Sequence, residues 1–276
     1  MSGERHENLP LGVFDSGIGG LTVLRELARA LPRESFLYLG DTARVPYGNR
    51  SSDTVIRYAR MACGLLTGRG IKALVVACNT VSAVALDLLR VEFDLPILGV
   101  IDPPARAACR EAPGGRIGVM GTRRTVTSGA YERAIHKADS RCEVISTVAP
   151  LLVPLAEEGW TSGRVPELVS REYLAPLAAR RIDALLLGCT HYPLLVPALG
   201  AALEDLTGGQ VPIVDSAASV AAETAAFVTE RALACDAGAQ GRLRFLVTDD
   251  PEAFSGVGRR FLGRDLPAGD VEVVDL

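Results

Sequence analysis

The 276-residue chain is poor in lysine: of 29 basic residues only Lys72 and Lys137 are lysines. A cofactor anchored as a Schiff base needs a lysine at the active end of a strand. Lys72 instead precedes an apolar run, and Lys137 falls in a helical pattern. No apolar stretch approaches the roughly 18–20 residues that cross a bilayer. The first ten residues are polar and mixed in charge, unlike a secretory signal. These absences argue against a membrane partner and make the cytoplasm the expected location. The formal charge of -4 shows no basic excess, so no nucleic-acid partner is expected. The six cysteines, Cys63, Cys78, Cys109, Cys142, Cys189 and Cys235, lack the close spacing of a disulfide framework, which fits a reducing compartment.

What is present is a globular composition, with 48% hydrophobic and 22% charged residues. The length suits one large domain or two of ordinary size. Strand patterns fall near residues 9–14, 36–39, 73–77, 97–100, 117–120, 144–148, 184–187 and 213–214. Helical patterns fall near 21–30, 53–67, 82–93, 126–137, 166–179, 193–206 and 219–233. Such alternation predicts parallel sheets with helices on their faces. A further strand at 243–247 and a helix at 251–261 are expected to pack back on the first unit.

Two of the apolar runs end in cysteine, at Cys78-Asn79-Thr80 and at Cys189-Thr190-His191, 111 positions apart. The segments Gly12-Val13-Phe14 and Gly118-Val119-Met120 repeat at 106 positions, and Pro96-Ile97-Leu98 and Pro212-Ile213-Val214 at 116. The simplest account is an internal duplication giving two similar α/β domains with the active site between them. The boundaries predicted are residues 1–100 plus 215–276 for the first domain and 101–214 for the second. A single eight-stranded α/β barrel is the alternative.

An unbroken apolar run reads as a strand buried on both faces, and in parallel sheets chemistry gathers beyond the strands' carboxyl ends. Cys78 and Cys189 stand there, although a buried structural thiol is the plainer reading of any one cysteine. The helices expected after each would lower the thiol pKa, and their N–H groups, with Asn79, Thr80 and Thr190, would suit a carboxylate. His191 is close enough in sequence to hold Cys189 as a thiolate or relay its proton. Asp15-Ser16-Gly17-Ile18-Gly19-Gly20 follows the first strand but misses the dinucleotide pattern G-x-G-x-x-G. It reads as a helix cap or as a site where Asp15 binds an ammonium group or assists Cys78. Pro46-Tyr47-Gly48 follows the second strand and offers backbone N–H groups. Thr122 and Thr125 occupy the matching loop of the second half, and Glu157 is read as a loop residue. The other four cysteines read as filler.

Two thiols facing one substrate suggest proton transfer at both faces of a carbon. Thiols with pKa near about 8.5 can alternate between acid and base near neutrality. Reacting atoms roughly 3–3.5 Å from each sulfur would set the sulfurs about 7 Å apart. A disulfide would hold them at roughly 2.05 Å. A zinc site of Cys78, Cys189, His191 and Asp15 would hold the two sulfurs within about 4 Å. From the residues alone, a zinc hydrolase and a small-molecule-binding regulator stay open beside a cofactor-free racemase.

The segments Phe14-Asp15-Ser16-Gly17-Ile18-Gly19-Gly20-Leu21, Pro46-Tyr47-Gly48, Cys78-Asn79-Thr80 and Gly188-Cys189-Thr190-His191-Tyr192-Pro193-Leu194-Leu195 resemble the glutamate racemases of the aspartate/glutamate racemase family. The resemblance runs from about Leu11 to the C-terminus. Its most specific point is His191, where aspartate racemases tend to carry Glu. It implies interconversion of L- and D-glutamate with no cofactor and no metal, supplying D-glutamate for peptidoglycan. It also implies two facing α/β domains, the first built from both chain ends. By the same resemblance Cys78 and Cys189 would be the acid/base pair, Asp15 supporting the first and His191 the second. Asp15, Ser16, Pro46, Tyr47, Gly48, Asn79, Thr80, Thr190 and His191 would surround the substrate, with Thr122, Thr125 and Glu157 completing the pocket. The apolar helix faces leave a homodimer open.

Overall fold

The computed structural model describes residues 6–236, 238, 240–266 and 268–276. In chain order the strands are β1 (Leu11–Asp15), β2 (Phe36–Gly40), β3 (Ala73–Val76), β4 (Ile97–Gly99) and β5 (Arg116–Gly121). They continue with β6 (Glu143–Val148), β7 (Ala184–Gly188), β8 (Ile213–Asp215), β9 (Leu243–Val247) and β10 (Val271–Val273). Among the described residues they make two sheets, ordered β10-β9-β2-β1-β3-β4 and β6-β5-β7-β8, with every pairing parallel. The fold is thus a pair of α/β units with helices on the sheets, as the duplicated pattern implies, and not a closed barrel. The order β2-β1-β3-β4 in one sheet matches β6-β5-β7-β8 in the other. The C-terminal segment returns to the first sheet, where β9 pairs with β2.

The sequence alternation decides which way each strand faces. Leu11, Val13 and Val75 turn to one side of the first sheet, whereas Phe14, Leu74 and Val76 turn to the other, toward Val55, Ala59 and Leu66 of the helix Ser52–Gly68. The first group belongs to an apolar cluster that continues through Leu24 and Val220 to Met120, Leu185 and Leu187 of the second sheet. Burying that shared apolar area holds the two halves together.

Several elements differ from the sequence patterns. The helix expected at 82–93 begins at Asn79, directly after Cys78, and breaks at Ala85 into Asn79–Val84 and Leu86–Glu92. The one expected at 126–137 divides into Arg123–Thr127 and Ala130–Ala138 around Gly129, whose φ of 66° interrupts the helical path. Cys189 is followed by a short 3₁₀ turn, Tyr192–Leu195, with the α-helix Val196–Thr207 starting later. Two unforeseen helices, Asp102–Glu111 and Leu152–Glu157, carry prolines in their first turns, where the missing N–H has no intrahelical partner to lose. Glu157 therefore ends a helix and is not a loop residue. Among the described residues no helix is long and apolar enough to cross a membrane.

Candidate active site

Both sheets reverse their winding direction at the same point. The chain moves from β1 to β2 on one side and then crosses to β3 on the other, and β5, β6 and β7 do the same. The crevice at such a switch, beyond the carboxyl ends, is where open parallel sheets bind ligands. Asp15 ends β1 and Cys78 follows β3; Thr122 follows β5 and Cys189 follows β7. The two crevices open into one cleft lined by Ser16, Pro46, Tyr47, Gly48, Cys78, Asn79, Thr80, Thr122, Glu157, Cys189, Thr190 and His191. Gly17, Ile18, Val45 and Val153 complete its wall. Asp15 and Thr125 lie behind it, each 1% exposed.

The halves meet closely where side chains are small. A Cβ on Gly19 would overlap the Thr190 hydroxyl and the His191 ring, and one on Gly48 would come within 2.8 Å of Thr122 Cβ. Thr22 Oγ donates to Thr190 O at 2.9 Å. The Thr80 hydroxyl lies 3.0 Å from Thr122 Oγ and 3.3 Å from Thr125 Oγ, and Thr122 Oγ caps the following helix by accepting from Thr125 N. Tyr47 turns its own hydroxyl away from the cleft and donates to buried Asp41, which pins the Pro46-Tyr47-Gly48 turn.

Cys78 donates through its thiol to Ser16 Oγ at 3.3 Å. Burial, and then the Asp15 carboxylate nearby, push this thiol up to about 12. The expectation of a lowered pKa from the helix start is overturned here: Cys78 caps a helix of only six residues, and loss of hydration outweighs that short dipole. Asp15 is itself pushed up by burial, against the opposing pull of His191 and the backbone N–H groups of Gly20, Gly17 and Ser16. Its Oδ2 accepts from Gly17 N at 2.9 Å, while Oδ1 has no hydrogen-bond partner among the described residues.

On the other side, His191 Nδ1 lies 3.8 Å from Cys189 Sγ, and Nε2 lies 2.9 Å from Glu157 Oε1. Burial opposes charge on His191, yet these two partners outweigh it and hold the imidazolium up to about 10. Near neutrality a positive charge therefore stands beside Cys189. Arg260 donates to Glu157 O at 2.6 Å, and the Phe261 ring meets the His191 ring edge-on at 5.2 Å. The two cysteines thus share a cleft, but Cys78 faces a carboxylate and Cys189 an imidazolium. Among the described residues no group of three or more His, Cys, Asp or Glu side chains has a metal-holding arrangement.

A model of the Asp/Glu/hydantoin racemases matches residues 11–224. The chain belongs to that family. It is 47% identical over 266 residues to a glutamate racemase of Geobacter metallireducens, covering 96% of each chain. Its structure is similar to that of glutamate racemase from Thermus thermophilus in complex with β-chloro-D-alanine, with a TM-score of 0.88, 44% identity and 99% of each chain covered. It is likewise similar to the Francisella tularensis glutamate racemase in complex with D-glutamate, with a TM-score of 0.89, 36% identity and 98% of each chain covered.

Two tyrosines of this racemase that the sequence pattern does not single out sit against the site. Tyr38, from β2, donates to Gly17 O at 2.9 Å behind Asp15 and Cys78. Tyr131, from the helix Ala130–Ala138, donates to Asn79 Oδ1 at 2.6 Å. Tyr38 gives no signal beyond an aromatic in a strand pattern. Tyr131 reads as one apolar position of an amphipathic helix.

Proposed function

We propose that this protein interconverts L- and D-glutamate without a cofactor, with Cys78 and Cys189 as acid and base on opposite faces of the α-carbon. The observation that carries this reading is the pair of cysteines in one cleft, each beyond the corresponding strand of a repeated sheet order. Family membership and the glutamate racemases among the relatives support the substrate. In one direction the thiolate of one cysteine removes the α-proton and becomes a thiol. The thiol of the other delivers its proton to the opposite face and becomes a thiolate. Turnover in reverse exchanges the roles, and no net proton is consumed.

The surrounding groups suit this cycle. When Cys189 carries the negative charge it faces the His191 imidazolium, which Glu157 holds in place. Asp15 lies close enough to Cys78 to raise the cost of charge there, so Cys78 rests as the thiol. The hydroxyls of Ser16, Thr80, Thr122 and Thr190 and the amide of Asn79 line the cleft as neutral donors for carboxylates. Thr125 steadies Thr80 and Thr122 from behind. We further propose a division into residues 1–100 with 215–276 against 101–214; the two sheets support it except that β8 ends one residue past the boundary, at Asp215. We assign the product D-glutamate to peptidoglycan synthesis and the enzyme to the cytoplasm, on the strength of the family resemblance.

Racemisation in D₂O by metal-stripped protein without added cofactor tests this function. L-glutamate, D-glutamate and L-aspartate are offered separately while optical rotation and α-deuterium are followed together. Inversion of either glutamate enantiomer with solvent deuterium at the α-carbon is the expected result. Inversion of aspartate alone would overturn the substrate, and no exchange with any of the three would overturn the reaction.

A further inference from the structure

Asn79 stands beside Cys78 at the start of the first-half helix, 2% exposed, and it lines the cleft. Its side-chain amide has two ends. One is 2.6 Å from Tyr131 Oη, and the other, Nδ2, is buried with no hydrogen-bond partner among the described residues. Which end is the oxygen decides whether the site is offered a donor or an acceptor. A separation of 2.6 Å is short for N–H···O, whose usual distance is about 2.9–3.0 Å, and ordinary for O–H···O. The Tyr131 hydroxyl therefore donates to Asn79 Oδ1. Its second acceptor, Val100 O, is more distant at 3.3 Å. Burial and the nearby Cys189 keep the phenol protonated, so it stays a donor.

Tyr131 reaches this place from the second half of the molecule. A Cβ on Gly188 would sit 2.7 Å from the Tyr131 ring, so the glycine ahead of Cys189 makes room for it. The phenol thus spans from the Cys189 strand to the residue after Cys78. A buried amide N–H₂ without an acceptor carries a desolvation cost that an incoming acceptor relieves.

We propose that Tyr131 is a positioning residue: it fixes the Asn79 amide with its N–H₂ left to bind a carboxylate of the amino-acid substrate, and does so only when the two halves stand in this relation. The inference rests on the racemase reading for the identity of that substrate. An amide held the opposite way would present an acceptor and would suit the substrate ammonium instead.

The test is calorimetric titration of wild type, Tyr131→Phe, Asn79→Ala and the double variant with racemic glutamate, a mixture that turnover does not alter, together with steady-state kinetics. Tyr131→Phe should weaken binding and raise KM about tenfold, the scale of one hydrogen bond to a charged group, with kcat within about threefold. The double variant should bind no worse than Asn79→Ala alone, because a residue acting only through Asn79 adds nothing once that side chain is gone. Binding by Tyr131→Phe within about twofold of wild type, or additive losses in the double variant, would overturn the proposal. If Tyr131→Phe does not fold, Asn79→Asp decides: a carboxylate in place of the amide should repel glutamate, and unchanged or tighter binding would show an acceptor at that position. Wild type that binds glutamate without inverting it would sink the racemase reading and leave the amide test intact. Wild type that neither binds nor inverts glutamate would end both.

Discussion

Beyond β3, the Cys78 thiol donates to a serine hydroxyl and shares its burial with a carboxylate. Beyond β7, Cys189 faces an imidazolium that is braced by Glu157 and meets Phe261 edge-on. Strand order puts the two sulfurs at matching points, and the loops around them supply opposite charge. A duplicated scaffold can thus repeat the location of a cysteine while leaving the charge beside it to local partners. Removing a partner on one side should therefore disturb one direction of proton transfer more than the other.

The strongest way to sharpen that contrast is to remove the sulfurs. Cys78→Ser and Cys189→Ser should each lower inversion by about 10³-fold or more, the upper range for a positioned acid or base. Each should still exchange the α-proton of one enantiomer, and the two variants should differ in which one, as read by ¹H NMR in D₂O. Equal, wild-type-like turnover in either would break the two-thiol mechanism. Next in size is Gly19→Ala, which forces Thr190 and His191 away from the first half. A displacement of about 1 Å costs on the order of 100-fold, so kcat should fall by that much with the fold retained by circular dichroism.

Asp15→Asn acts on the Cys78 thiol, which the carboxylate raises. In the wild type, alkylation of Cys78 should be slow at pH 8 and rise with pH toward the value of about 12. Because the Asp15 charge raises that thiol, its removal should shift the alkylation curve to lower pH, and an unmoved curve would remove Asp15 from the account of Cys78. The smallest effect is expected from Glu157→Gln. Glu157 helps hold His191 up, so the variant's imidazole should lose its proton at lower pH than about 10 in an NMR titration. The Glu157 side chain is 42% exposed. An exposed ion pair is worth about 1 kcal/mol or less, so turnover should fall no more than about fivefold.

The matched cysteine strands and the alternation of strands and helices were legible because buried parallel strands leave unbroken apolar runs. Asp15 was legible for the same reason, as a carboxylate at the end of such a run. Glu157, read from the sequence as a loop residue, ends a helix of only six residues whose first turn holds Pro154, too short to show a helical period. Cys78 was expected to ionise easily from its place at a helix start. Its 5% exposure beside a buried carboxylate reverses that sign, and burial depends on neighbours distant in sequence.

The sequence by itself determined where the candidate site residues stand along the chain, since strand ends follow from local apolar pattern and backbone hydrogen bonding. Only the tertiary structure decided what each group faces. Tyr131 meets Asn79 across 52 positions, and Glu157 meets His191 across 34. Electrostatic and hydrogen-bond energies depend on distance in space, and packing the two sheets around one shared apolar cluster is what sets those distances.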